Sequence, residues 1–74
     1  MKICFKKNDE NEISVVEIKN GEEIEFKYVN MIKKLINKEK LEEPTTQGDF
    51  SGAEVESIRR MANLINQEVD EFEK

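Results

Sequence analysis

The sequence predicts one small α+β domain of 74 residues, in which a short antiparallel sheet of three strands precedes a two-helix hairpin. Three observations predict this class. β-Branched runs fill the first part of the chain, an Asn-Gly dipeptide follows one of them, and the apolar spacing becomes helical after about residue 26. We expect a sheet at 1–26, helices at 27–41 and 52–73, and a loop at 42–51.

The strands are predicted from β-branched runs and turn residues. Ile3-Cys4-Phe5 lies in the first strand, a polar turn follows at 8–11, and the second strand covers 13–18. Asn20-Gly21 then predicts a type I′ hairpin turn, because both central residues of that turn need positive φ. This turn leads into a third strand at 23–26.

The register of the hairpin decides which side chains face the core. If Lys19 pairs with Glu22, the better core face carries Ile13, Val15, Ile24 and Phe26. Val16 and Ile18 then point to the second face, which indicates that something covers that face as well.

Both helices are predicted to be amphipathic. The first has lysines opposite an apolar stripe of Tyr28, Val29, Ile32, Leu35 and Ile36. The second begins after Ser51, which can cap the free amides of the first turn while Glu54 completes a capping box.

The second helix carries an apolar seam that exceeds what the shorter first helix can cover. Its members alternate three and four apart: Val55, Ile58, Ala62, Ile65, Val69 and Phe72. A chain of this size buries a small core and gains stability from disulfides, metals or partner subunits. With one cysteine and no histidine, only the last remains, so we expect this seam to form a homo-oligomer interface.

The charge distribution excludes some partners and suits others. Seventeen acidic and twelve basic residues give a net charge of -5, which opposes general nucleic-acid binding. Lysines concentrate at 27–40 and acids at 68–73, a pattern that suits self-association and suits a solvated helix surface equally well. One cysteine and the lack of a signal peptide or apolar span predict a cytoplasmic protein without a membrane partner.

No catalytic or metal-binding pattern is present. The paired acids Glu22-Glu23, Glu42-Glu43 and Asp70-Glu71 are expected to be solvated, whereas acid–base catalysis needs carboxylates in different environments. Phosphate-binding glycine loops, nucleophile elbows and cysteine/histidine clusters are absent from the sequence. Cys4 is expected to be a small buried thiol. We therefore expect no enzyme activity, cofactor or metal.

The only two arginines, Arg59 and Arg60, are the leading binding candidates, because arginine binds anions in a planar, bidentate geometry. The other candidates lie in the loop, along the second helix or at the start of the first: Thr45, Thr46, Gln47, Phe50, Asn63 and Tyr28. Hydroxyl and amide groups supply hydrogen bonds, and Phe50 or Tyr28 supplies an aromatic face. Alternatively, the arginines pair with nearby acids on the surface.

The order of elements, with a threonine-containing loop before an arginine-bearing terminal helix, resembles the first-described Thoeris anti-defence proteins of phages. The resemblance implies a molecular sponge that sequesters cyclic ADP-ribose-type immune signals at protomer interfaces without cleaving them. It also implies that Thr46 contacts a phosphate and that Arg60 is the helix arginine of the site.

Two hypotheses about function follow. The leading one is a non-enzymatic, homo-oligomeric phage or mobile-element protein that sequesters a small anionic nucleotide signal in the host cytoplasm. The alternative is an acidic inhibitor or adaptor that acts on a host protein or other macromolecule. A sponge needs a concave site where arginine meets aromatic and hydroxyl groups, whereas a protein-binding inhibitor needs an exposed apolar or acidic patch.

Overall fold

The chain folds as an α+β domain in a computed structural model that describes residues 1–72, with the backbone alone at Phe72. This confirms the predicted fold class. In chain order the elements are β1 (Lys2–Lys7), β2 (Ile13–Lys19), β3 (Glu22–Glu25), α1 (Tyr28–Ile36), β4 (Thr45–Gln47) and α2 (Gly52–Phe72). The predicted end of the second helix, at residue 73, lies outside the described residues.

The sheet has four strands among the described residues, in the order β3-β2-β1-β4. β1 and β2, and β2 and β3, pair antiparallel, whereas β4 is parallel to β1. The prediction of a three-stranded, purely antiparallel sheet is therefore wrong in this detail. Thr45–Gln47 was expected to lie in a loop, and it becomes a strand because the chain returns alongside β1 after α1.

The hairpin between β2 and β3 is confirmed. Lys19 pairs with Glu22, and Asn20 and Gly21 have φ of 54° and 79°, as a type I′ turn requires. This local sequence therefore fixes the register of β3 and places Ile24 opposite Glu17.

Helix α1 is shorter than predicted. It ends at Ile36 rather than near residue 41, with Asn37 as its C-cap and Lys38 at a φ of 62°. The left-handed conformation of Lys38 turns the chain back toward the sheet. The connection to α2 then includes β4, so the two helices do not form a simple hairpin.

Both helices lie on one face of the sheet, the face to which odd-numbered positions of β1 and β2 point. Three contacts establish this arrangement: Ile3 packs with Leu41 and Ala62, Lys7 pairs with Glu54, and Glu17 pairs with Lys34. Cys4, Val16 and Ile18 lie on the opposite face, which no helix within residues 1–72 covers. The expected cover for Val16 and Ile18 is thus not found in the described part of the chain.

The segment after α1 is held in place by hydrogen bonds between its backbone and one side chain of α2. Asn66 of α2 accepts a hydrogen bond from the backbone amide of Leu41 at 2.8 Å and donates one to its carbonyl at 2.8 Å. One residue later, the amide of Glu42 donates to the carbonyl of Met1 at 2.9 Å. The segment therefore enters β4 already fixed between α2 and β1.

The buried apolar core is small. Among the described residues it consists of Ile3, Cys4, Leu41, Ala62 and Val69. The predicted burial of the Cys4 thiol is confirmed. The chain exposes 5593 Å², whereas a compact monomer of 8.7 kDa exposes about 4,700 Å². The domain thus presents more surface than a compact monomer of its mass.

Candidate functional site

The predicted loop residues lie on an exposed strand rather than around a pocket. Thr45, Thr46 and Gln47 form β4 at the edge of the sheet, and all three are exposed. The hydroxyl of Thr45 donates to the carbonyl of Ile3 at 3.5 Å, within the sheet. Because side chains alternate along a strand, Thr46 points to the opposite face from its two neighbours.

The two arginines point in different directions, since neighbouring positions on an α-helix are about 100° apart. The Nε atom of Arg59 lies 2.9 Å from Glu43 Oε1, and the Nε atom of Arg60 lies 3.6 Å from Glu56 Oε1. Surface ion pairs were the expected alternative for these residues, and both arginines form one. Each guanidinium is already next to a carboxylate.

Arg59 and Asn63 share a cavity of about 300 Å³ between α2 and the segment before β4. Glu42, Glu43 and Asn66 also line this cavity. Two carboxylates and one guanidinium give the cavity lining a net negative charge, so an anionic ligand binds here only by displacing Glu43 from Arg59.

Phe50 belongs to a different cluster, at the start of α2. The ammonium of Lys7 lies 4.9 Å from its ring centroid and also donates to Glu54 at 2.8 Å. Ser51 and Glu54 form the predicted capping box, with hydrogen bonds of 3.2 Å and 3.1 Å. The hydrogen bond from Lys7 lowers the pKa of Glu54, and the bonds from Ser51 lower it further. This cluster stabilises the helix start and occupies one face of the aromatic ring.

Tyr28, the other aromatic candidate, begins α1 and is 75% exposed. It lines neither the cavity that contains Arg59 nor the one that contains Phe50. The structure therefore divides the predicted ligand residues among the β4 edge, the Arg59 cavity, the Phe50 cluster and α1.

The middle of the predicted oligomer seam, at Ala62 and Ile65, packs against the chain's own sheet. Ala62 and Val69 are buried in the single chain, and Val55, Ile58 and Ile65 are half-buried. The side chain of Phe72 lies outside the described residues. The uncovered apolar surface of α2 is instead on the flank of the seam, where Leu64 is 61% exposed and Met61 is 38% exposed.

An uncovered apolar groove lies between the two helices and is hereafter called the α1–α2 groove. It has a volume of about 310 Å³ and is lined by Ile32, Leu35, Ile36, Glu68 and Val69. Exposed side chains continue the surface along both helices, among them Val29, Ile36 and Leu64. The sequence predicts the apolar stripe on α1, but periodicity shows which side of a helix is apolar and not what covers it.

A partly buried ion pair anchors α1 to the sheet at the opposite side of that helix. Lys34 donates to the buried carboxylate of Glu17 at 2.7 Å and lies 3.4 Å from Glu39. The hydrogen bond from Lys34 to Glu17 raises the pKa of Lys34. It fixes the side of α1 that faces the sheet and leaves Val29 and Ile36 pointing outward.

The described residues contain no cluster of potential metal ligands. No described helix combines the length and apolarity needed to cross a membrane.

Comparison of the chain with protein-family models, curated proteins and solved structures finds no match in any of the three. The resemblance to the Thoeris anti-defence proteins therefore stays a prediction.

Proposed function

We propose that this chain is a non-catalytic interaction protein that binds a helical segment of a protein partner in the α1–α2 groove. One observation carries the proposal: six of the nine residues of α1 are apolar, and none of the nine is buried. An isolated helix shorter than about 12 residues is marginal in water and depends on packing of its apolar face. Within residues 1–72, Met31, Ile32 and Leu35 are only half-buried and Tyr28, Val29 and Ile36 are exposed, so this dependence is met only in part.

The exposed apolar side chains offer substantial binding energy. Val29, Ile36 and Leu64 are each more than half exposed, and burying such a side chain is favourable by about 1.5–3 kcal/mol. Contiguous apolar surface of this kind marks interaction sites in small proteins. Helices bind such grooves through apolar side chains spaced three and four residues apart.

Strand addition is a less suitable mode of binding, because both sheet edges are protected. Glu22, Glu23 and Glu25 place three acids on β3, and charge on an edge strand opposes pairing. The other edge, β4, is three residues long and lies between Pro44 and Gly48. Short edge strands next to proline also resist pairing with another chain.

The rim of the groove defines the charges that a partner helix should carry. Glu68 lines the groove on the α2 side, and Lys33 is exposed on the α1 side. The partner segment thus combines an apolar stripe with a basic residue facing Glu68 and an acidic residue facing Lys33.

Site-specific photo-crosslinking in the natural host tests this proposal. A photoreactive residue at position 36, in the groove, should give one discrete adduct, whereas the same residue at exposed position 10 should give none. The adduct should disappear with Val29→Asp, which adds a charge to the apolar surface. Equal labelling from both positions, or no adduct from position 36, would contradict groove binding.

Nucleotide sequestration is our second proposal, and the shared cavity of Arg59 and Asn63 supports it. Calorimetry with cyclic nucleotides and cyclic ADP-ribose isomers should then show binding that Arg59→Ala weakens about tenfold, or 1.4 kcal/mol. Lys33→Ala, outside the cavity, is the control and should have little effect. Absence of heat with every ligand, from the unmodified protein, would eliminate this proposal.

A further inference from the structure

We propose that the helical partner in the α1–α2 groove is a second copy of this chain, so that two groove surfaces form one symmetric interface. This inference rests on the proposed function and identifies the partner. In a twofold dimer the same patch serves both subunits, so the patch must complement itself in shape and charge.

The surface area that the chain exposes is large enough to include an interface with a second copy. The chain exposes about 900 Å² more than the surface expected for a compact monomer of its mass, from 5593 Å² in total. A standard interface buries about 800 Å² on each partner. The radius of gyration is 12.8 Å, against about 11.3 Å for a compact domain of this length. The excess surface is close to the area of one uncovered interface, and the larger radius of gyration shows that the chain is less compact than a typical domain of its length.

The charges beside the groove are self-complementary. On α1, Lys33 lies beside the exposed Val29 and has no ion-pair partner among residues 1–72. On α2, Glu68 lines the groove, and Glu71 lies three residues further along the helix. Neither carboxylate has an ion-pair partner within the described chain. A twofold axis that places α1 of one copy over α2 of the other brings Lys33 to Glu68 twice.

The other surfaces offer less to a second copy. The uncovered sheet face carries Val16 and Ile18, but Lys6 and Glu23 form an ion pair across it. The sheet edges are protected by the glutamates of β3 and by the shortness of β4. Among the described residues, the groove is therefore the surface that combines exposed apolar side chains with unpaired charges of both signs.

Sedimentation equilibrium of the full chain, with and without charge reversal, tests the proposal. The parent protein should be a dimer whose dissociation depends on concentration. Lys33→Glu and Glu68→Lys, made singly, should each raise the dissociation constant about tenfold, because an exposed ion pair is weak but occurs twice in the dimer. The double variant should recover most of the parent affinity.

Lys19→Glu, at the end of β2, is the matched control and should leave the dissociation constant unchanged. The recovery in the double variant separates pairing across the interface from a loss of helix stability, which a second reversal would not repair. Circular dichroism shows whether each variant is folded.

A parent protein that remains monomeric at all concentrations would overturn the dimer, and so would failure of the folded double variant to recover. A position 36 adduct with a different protein would then leave the proposed function standing. Loss of both the dimer and the adduct would overturn the two together.

Discussion

Replacing Leu41 by alanine is expected to lower the free energy of unfolding by about 2–5 kcal/mol, because the substitution empties part of a small core. Leu41 is 5% exposed and contacts Ile3 and Ala62 across the space between the sheet and α2. Few other buried apolar side chains are available to compensate. Chemical denaturation at one fixed protein concentration measures the change.

Ile24→Ala is the control for Leu41→Ala, because Ile24 is 46% exposed on β3. Its cost should be about 1 kcal/mol or less. Equal losses from the two substitutions would mean that Leu41 does not lie at the centre of the core.

Replacing Asn66 by alanine is expected to cost about 2–3 kcal/mol, since it leaves two backbone groups of a buried residue without partners. The amide and carbonyl of Leu41 both bond to the Asn66 side chain at 2.8 Å. Alanine has a higher helix propensity than asparagine, so the substitution by itself should stabilise α2 slightly. A measured loss of stability would therefore come from the lost hydrogen bonds to Leu41.

Asn63→Ala, one turn earlier on the same helix, is the matched control. Its side chain is exposed, and the substitution should change stability by less than about 0.5 kcal/mol. Hydrogen exchange of the Leu41 amide provides a second measurement, and it should accelerate in Asn66→Ala alone. Unchanged protection in that variant would contradict the role of Asn66.

Features encoded by a few adjacent residues could be predicted from the sequence. Asn20-Gly21 fixes its turn because few residue pairs tolerate positive φ twice, and Ser51 with Glu54 fixes the start of α2 through reciprocal hydrogen bonds. Both predictions are confirmed, and both depend on interactions within four residues along the chain.

Features that depend on distant residues could not be predicted. Thr45–Gln47 is too short and too polar to indicate a strand, and it becomes one because Cys4 and its neighbours offer a free edge. Helix α1 ends at Ile36 because Lys38 adopts a left-handed conformation, which turns the chain back toward the sheet. Neither cause is visible in the local sequence.

The candidate site also combines features that the local sequence predicts with features that depend on distant residues. Adjacent arginines suggested one binding surface, but helical geometry directs Arg59 toward Glu43 and Arg60 toward Glu56. The stripe on α1 was correctly identified as apolar, whereas the absence of cover for Val29 and Ile36 depends on how far α2 and the sheet extend. That distance is a property of the tertiary structure.

The parallel pairing of β4 with β1 has a consequence for the order of folding. β1 can pair with β2 after closing a loop of only a few residues, but β4 joins it only after α1 and the segment beyond have been placed. Closing that longer loop costs more entropy and slows the step. Until β4 is in place, the Ile3-Cys4-Phe5 edge has unpaired backbone groups on one side, and such an edge is a template for pairing with another chain.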